Sequence, residues 1–292
     1  MIKSDAKILE LLAPAKLNLF LHIVGRRSDG YHLLQSVFQL IDWCDLLTLK
    51  LIPENEVRRI NPIPGVTAEN DLVVRAATLL KDFSGNQLGV EISLKKEIPM
   101  GAGLGGGSSD AASTLIGLNT LWNLNLDQAT LSRLGLKLGA DVPFFIFGKN
   151  AWVEGVGEKI QEIPLPANHY LVLTPKIHVS TAQIFNAKEL TRNTFPTTIA
   201  AFSEMQDFLH NDLEAVVCQQ YPAVKACLDW LNQYSKARMS GSGASVFIAQ
   251  KTEVEVNNIL RTLPKRIANT KLFCASSLGL NQHPLYNLTS EQ

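Results

Sequence analysis

The chain has 292 residues, of which 46% are hydrophobic and 18% charged, with 27 basic and 27 acidic side chains balancing to zero. That composition is globular rather than disordered. The balance argues against a broad nucleic-acid or membrane-surface binder, whose partner calls for a basic excess. The four cysteines, Cys44, Cys218, Cys227 and Cys274, form no CxxC pair, and the histidines form no HExxH; we expect reduced thiols and no structural metal. No apolar run reaches the ~18 residues that span a bilayer. Met1 to Glu10 carries mixed charges and only a short apolar run, unlike a signal peptide, so a cytoplasmic protein is expected.

In chain order, Ile8 to Ala13 and Lys16 to Val24 read as strands, separated from the next by the polar turn Gly25 to Gly30. Ser36 to Asp42 and Asp45 to Leu51 are two further strands. Asp71 to Phe83 is a helix with Leu72, Ala76, Leu79 and Leu80 at helical spacing, and Gly89 to Lys95 is a strand. Past a glycine-rich segment, Asp110 to Leu121 and Gln128 to Leu138 are helices, and Val142 to Phe147 and Ala151 to Glu154 are short apolar runs. The later half reads as strand Tyr170 to Thr174, helices Thr181 to Thr191, Phe208 to Gln219 and Ala223 to Tyr234, strand Ala244 to Gln250, helix Thr252 to Leu263 and strand Lys271 to Ala275. Strands bunched early with helices interleaved predict an α+β fold of two lobes, 1–160 and 161–292.

The glycine-rich segment decides the chemistry. It reads Pro99-Met100-Gly101-Ala102-Gly103-Leu104-Gly105-Gly106-Gly107-Ser108-Ser109, and five of the seven residues from Gly101 to Gly107 are glycine. An ordinary turn needs one or two. Residues without Cβ take positive φ and let backbone approach a ligand, so successive N–H groups can form a nest for an anion. The segment follows a strand and opens a helix at Ser108 or Ser109, whose N-terminus adds unpaired donors. A phosphate chain is the natural guest. The serine hydroxyls are left three roles: capping the helix, touching a phosphate, or holding a metal through water. A GxGxxG is present at Gly101, Gly103 and Gly106, but a dinucleotide reading wants an acidic residue ending the next strand. Asp127 lies near that distance in a turn-like stretch between helices instead. No Lys-Ser/Thr follows the glycines, which excludes a P-loop.

Three segments in this order resemble the GHMP kinase superfamily of small-molecule, ATP-dependent kinases: Ala13-Pro14-Ala15-Lys16-Leu17-Asn18-Leu19, the glycine segment continued by Asp110-Ala111-Ala112, and Met239-Ser240-Gly241-Ser242-Gly243-Ala244-Ser245. The resemblance spans nearly the whole chain. Two further segments, Gly25 to His32 and Gly139 to Phe145, resemble one branch whose acceptor alcohol carries a cytidine diphosphate. The resemblance implies an N-terminal lobe like ribosomal protein S5 domain 2 and a ferredoxin-like C-terminal lobe. It implies ATP and Mg²⁺ as cofactors, a small-molecule acceptor, no nucleic acid or membrane partner, and a monomer or homodimer.

Site roles follow from the same matches. Asp141 is the expected proton acceptor or positioner for the substrate hydroxyl, and Lys16 its electrostatic partner. Taken without the family, Asp141 is a helix cap or turn residue and Lys16 a solvated strand residue. Residues 99–109 are expected to hold the ATP phosphates, with Ser108 the candidate Mg²⁺ ligand. Leu72, within Glu69-Asn-Asp-Leu-Val-Val74, resembles the adenine-pocket segment, although relatives more often carry Asn where Asp71 stands. Tyr31 and Phe185 are expected to stack on the base and His32 to read its edge. Asn18 shares a strand face with Lys16 by two-residue alternation and is expected to hydrogen-bond substrate. Ser240, Gly241, Ser242 and Gly243 are expected to close against the phosphate loop.

Overall fold

A computed structural model describes residues 7–204, 209–268, 273–280 and 282–283. Two long antiparallel strands, β1 (Ile8–Arg26) and β2 (His32–Ile52), organise the first half. Each was expected as two strands. They run on because the breaks are absorbed by bulges. Pro14 faces Cys44 while Ala15 already faces Ile41, so the register slips there. A proline donates nothing to a ladder and is tolerated at a bulge. The polar turn between them is closed by Gly30 at φ 91°, with its N–H donating to Arg27 O at 3.0 Å.

β2 also pairs with β4 (Gly89–Lys95) and β5 (Ala151–Gly155). Two short strands the pattern did not predict, β3 (Val57–Arg59) and β6 (Lys159–Glu162), flank these. Helices α1 (Leu72–Ser84), α2 (Gly106–Leu121), α3 (Gln128–Leu136) and α4 (Val142–Phe147) pack with this sheet in one core. Leu47, Leu49, Val90 and Ile92 meet Ala76 and Leu80 of α1 and Ala111, Leu115 and Leu118 of α2 there. Gly117 lets α2 lie close to the sheet, since a Cβ at that position would sit 2.4 Å from Leu11 Cδ1.

In the second half, β7 (His169–Thr174), β8 (Arg238–Met239), β9 (Val246–Gln250) and β10 (Phe273–Leu280) form an antiparallel sheet in the order β10-β7-β9-β8. Gly279 and Leu280 of β10 pair with Ile41 and Leu40 of β2, joining the two sheets. Strand alternation divides β7 between two cores. Leu171 and Leu173 pack with α7 (Glu214–Gln220), α8 (Pro222–Leu231) and α9 (Glu253–Leu260). Tyr170 and Val172 pack with Ala15, Leu17, Ile98, Ala102 and Leu104. That second cluster fastens the glycine segment and β1 onto the later sheet. α6 (Ile199–Glu204) and α10 (Lys265–Ala268) complete the helices among the described residues.

Five predicted helices are shorter than expected, three of them, α3, α8 and α9, by about a turn or less and the other two by more. α5 (Thr181–Phe185) stops at Phe185 rather than Thr191. The carbonyls of Phe185, Ala187 and Leu190 are taken by the guanidinium of Arg192 instead of by a continuing helical ladder. The helix expected over Phe208 to Gln219 begins only at Glu214. Phe208 lies outside the described residues, and His210 to Asp212 run beside β1, exchanging backbone hydrogen bonds with Leu21. The last strand was expected from Lys271; residues 271 and 272 also lie outside the described set, and the strand extends to Leu280. Cys44, Cys218 and Cys227 are free thiols. No described helix is long and apolar enough to cross a membrane.

Candidate active site

A cleft of 840 Å³ opens where β1, the glycine segment, α4 and the 240–243 turn converge. The glycine segment reaches it by alternation. Ala102 and Leu104 are buried in the core, while Gly101, Gly103 and Gly105, all at positive φ (64°, 75° and 72°), line the cleft. A side chain at Gly103 is forbidden: its Cβ would stand 2.1 Å from the Ser240 carbonyl oxygen. At Gly105 a Cβ would meet Phe145 at 2.9 Å and Lys16 Cγ at 3.2 Å.

Helix α2 starts at Gly106, ahead of the expected Ser108 or Ser109. Gly105 in the left-handed region precedes it, and no side chain caps the helix. The serines are therefore not caps. Ser108 lines the cleft, whereas Ser109 is fully buried and its hydroxyl has no partner. Pro99, Met100, Gly106 and Gly107 do not line this cleft. Met100 is exposed beside it in sequence, and Gly107 lies against Leu72, whose Cδ1 would be 3.3 Å from a Cβ there. Leu72 is otherwise packed on the core of the first half. Asp71 caps α1 by accepting Val73 N–H at 3.0 Å, and its other oxygen accepts Arg59 Nε–H at 3.0 Å.

Lys16 is buried, and its Nζ lies 3.7 Å from Asp141 Oδ2. It also donates to Asn18 Oδ1 and sits 4.5 Å from the centroid of the Phe38 ring. Burial pushes the ammonium below its ordinary pKa, and the Asp141 carboxylate opposes that shift. Asp141 occupies the residue before α4 yet makes no capping hydrogen bond, and a third of its side chain is exposed on the cleft. The carboxylate is thus free for a ligand rather than spent on the helix. The packed Val142-Pro143-Phe144-Phe145-Ile146 run behind it is buried and fixes where it stands.

Asn18 lines the cleft, but its side chain is committed to protein partners. Oδ1 accepts from Lys16, and Nδ2 donates to Ser36 Oγ at 2.9 Å. Asn18 thus supports Lys16 from within the cleft lining, where the expected substrate contact would also fall. The Ser240 hydroxyl accepts Asn18 N–H at 3.2 Å and donates to Gly103 O at 2.8 Å. Ser245 N–H donates to Ala102 O at 3.1 Å. Gly241 and Ser242 line the cleft, and Gly243 turns behind them at φ 85°, packed against Met239 and Val217. The 240–243 turn is therefore bonded to the glycine segment directly.

Tyr31, His32 and Phe185 line the same cleft. Tyr31 is 65% exposed at the β1–β2 turn, and the His32 and Phe185 rings lie 5.1 Å apart at 35°. Sequence reasoning missed Arg192, which donates to His32 Nε2 at 3.2 Å. It also missed Asn211, whose amide holds the carbonyls of Met239 at 2.9 Å and Gly241 at 2.8 Å. Neither sits in a glycine-marked motif, so no local signal exposed them. Asp127, the residue a dinucleotide reading would have needed, caps α3 by accepting Thr130 N–H at 2.8 Å.

Residues 71–149 match the family model of the GHMP kinases N terminal domain, and residues 187–269 that of the GHMP kinases C terminal. The chain belongs to the GHMP kinases, and its two-lobed α+β architecture is theirs. A protein of Polynucleobacter asymbioticus named 4-diphosphocytidyl-2-C-methyl-D-erythritol kinase is 61% identical, with 99% of each chain covered. One of the same name from Burkholderia thailandensis is 51% identical over 99% of this chain and all of its own. Among solved structures, a 4-(cytidine 5'-diphospho)-2C-methyl-D-erythritol kinase superposes with a TM-score of 0.78 at 31% identity, covering 93% of this chain and 100% of that one. A homoserine kinase from Cytophaga hutchinsonii shares the fold, with a TM-score of 0.70 at 18% identity and coverage of 97% and 98%.

Proposed function

We propose that this chain transfers the γ-phosphoryl group of ATP to the 2-hydroxyl of 4-diphosphocytidyl-2-C-methyl-D-erythritol, giving the 2-phosphate and ADP, in the non-mevalonate route to isoprenoid precursors. The relatives that bear this kinase's name support the acceptor. The observation that carries the reading is the cleft itself, which is lined by a glycine nest, a Lys–Asp pair and the rings of Tyr31, His32 and Phe185.

Phosphoryl transfer asks for in-line positioning, charge neutralisation and a destination for the acceptor's proton. The N–H groups of residues 101–108 serve the β- and γ-phosphates, as a backbone nest does for any anion. Lys16, buried with one carboxylate near it among the described residues, carries positive charge that a phosphoryl oxygen or a developing alkoxide would neutralise. Asp141 receives the hydroxyl proton or holds that hydroxyl in line. Asn18 keeps Lys16 aimed. Tyr31 and Phe185 hold the cytosine face, and His32 its edge.

Mg²⁺ accompanies the triphosphate. No group of three or more His, Cys, Asp or Glu suited to a metal is present among the described residues. The donors at the cleft, the Ser108 hydroxyl and the Asp141 carboxylate, fit an ion held mainly by phosphate oxygens and water. The ion would supply charge neutralisation on the phosphates. The working division of the chain remains 1–160 for the ATP-binding lobe and 161–292 for the second lobe, with a cytoplasmic location and a monomer or homodimer.

The test is a coupled ADP-release assay with ATP, Mg²⁺ and 4-diphosphocytidyl-2-C-methyl-D-erythritol, beside Asp141→Asn. Turnover that falls by about 10²–10⁴ in the variant supports acceptor and aspartate together. ADP release with mevalonate or homoserine but not with the cytidyl compound would keep the kinase and remove the base pocket. Full activity in Asp141→Asn would remove the role given to that carboxylate.

A further inference from the structure

His32 opens β2 with its ring against Phe185, and its Nε2 is the acceptor of a hydrogen bond from Arg192 Nε at 3.2 Å. An arginine Nε–H can only donate, since the guanidinium holds no lone pair for a donor and does not deprotonate in proteins. The nitrogen that receives it must carry the ring's lone pair. In a neutral imidazole the proton then sits on Nδ1, the opposite of the tautomer that free histidine favours in water. Burial, followed by the charges of Arg192 and Arg26, holds the His32 ring below its ordinary pKa, which keeps it neutral.

Arg192 has no freedom to do otherwise. Its Nη1 donates to Leu190 O at 3.0 Å, and its Nη2 to Phe185 O at 3.0 Å and Ala187 O at 2.6 Å. The planar fork is therefore oriented by the backbone that follows α5, and Nε is left pointing at His32. One guanidinium ties the backbone of Phe185 to the ring of His32. Among the described residues Nδ1 of His32 has no protein partner, and the residue lines the cleft.

We propose that Arg192 is a positioning residue that fixes His32 as its Nδ1–H tautomer, so that the cleft presents a hydrogen-bond donor to the edge of the bound base. Such a donor selects a base edge with an acceptor. On cytosine that means the O2 carbonyl or the N3 lone pair, and it excludes the exocyclic amino group as this nitrogen's partner. The base recognition rests on the acceptor proposed above; the tautomer does not.

The test reads the two separately. The full chain labelled with ¹⁵N-histidine is examined without ligand by two-bond ¹H–¹⁵N correlation, with His32 assigned through His32→Gln. The expected pattern is Nδ1–H in the wild type and in Arg192→Lys, which keeps a donor for Nε2, and Nε2–H in Arg192→Met. In steady-state assays Arg192→Met should raise KM for the cytidyl acceptor about tenfold, the worth of one hydrogen bond, while KM for ATP stays as it was. Arg192→Lys should recover most of that loss. An Nε2–H pattern in the wild type, or the same tautomer in wild type and Arg192→Met, overturns the inference, and the wild-type spectrum decides even if a variant fails to fold. Equal KM effects in Lys and Met variants also overturn it, because packing alone would then explain them. If the tautomer follows Arg192 but the wild type does not turn over the cytidyl compound, the acceptor reading falls and the role of Arg192 stands.

Discussion

Lys16 Nζ stands 3.7 Å from Asp141 Oδ2, the lysine almost wholly buried and the aspartate one-third exposed on the cleft. The asymmetry is chemically useful. Burial outweighs the one carboxylate beside the cation in setting its pKa, and that carboxylate remains accessible from the cleft.

Because burial lowers the Lys16 pKa below its ordinary value of 10.5, its charge is lost at lower pH than for a free lysine. The pH profile of kcat should therefore have an alkaline limb below 10.5. Lys16→Arg, if active at all, should lack that limb, since arginine stays charged to about pH 12 or higher. Coincident limbs in the two proteins would argue that the Lys16 charge is not what the reaction needs.

Asn18 provides a second handle on the same lysine. Asn18→Leu removes the bonds to Lys16 and Ser36 and leaves a buried donor and a buried acceptor unmet, a cost of about 1–3 kcal/mol for each. Its urea midpoint should fall, and kcat should drop at least about tenfold. Asn18→Asp places a second carboxylate beside Nζ and should move the alkaline limb of kcat upward. A downward or absent shift would contradict the geometry.

Gly103→Ala tests the contact between the two loops. The residue is at φ 75°, and the added Cβ would lie 2.1 Å from a backbone oxygen, Ser240 O, which cannot swing aside. A left-handed non-glycine costs about 1–2 kcal/mol before the clash. We expect lower thermal stability together with a weaker KM for ATP, whereas Gly65→Ala, with nothing within 4 Å of its Cβ, should suffer only the backbone cost. Equal behaviour of the two variants would remove the loop contact as a determinant.

His283 offers a pH test of folding. It is fully buried, its backbone N–H donates to Gly148 O at 2.6 Å, and burial pushes its ring down to about 3 from 6.5. Below pH 6.5 the unfolded chain takes up a proton that the native ring refuses, so this contribution to stability is lost as pH falls. Asp110 acts in the opposite sense. Burial, partly opposed by Lys96, raises it to about 7, so the native state holds a proton that the unfolded chain releases, and that stability is lost as pH rises. His283→Gln removes the first slope only. In urea titrations the stability advantage of wild type over variant should shrink by about 1.4 kcal/mol per pH unit between about pH 6 and 4. A pH-independent difference would show that His283 is charged in the native state.

The sequence by itself determined the chemistry-bearing segments. Glycine at every other position from 101 to 105 is legible because only glycine takes positive φ without strain, and helix α1 because Asp71 and Gly85 mark its ends while its apolar residues recur at helical spacing. Lys16, Asp141, Tyr31, His32 and Phe185 were legible because they lie inside such marked segments. Only the tertiary structure decided how these side chains are held. Asn18 supports Lys16, the strands ran through Pro14 because bulges absorbed it, and α5 stopped at Phe185 because Arg192 took the next carbonyls. Hydrogen bonds between residues 160 positions apart, such as that between Arg192 and His32, leave no period in the chain. They exist only once the core of Tyr170, Val172, Ala102 and Leu104 has brought the two halves together.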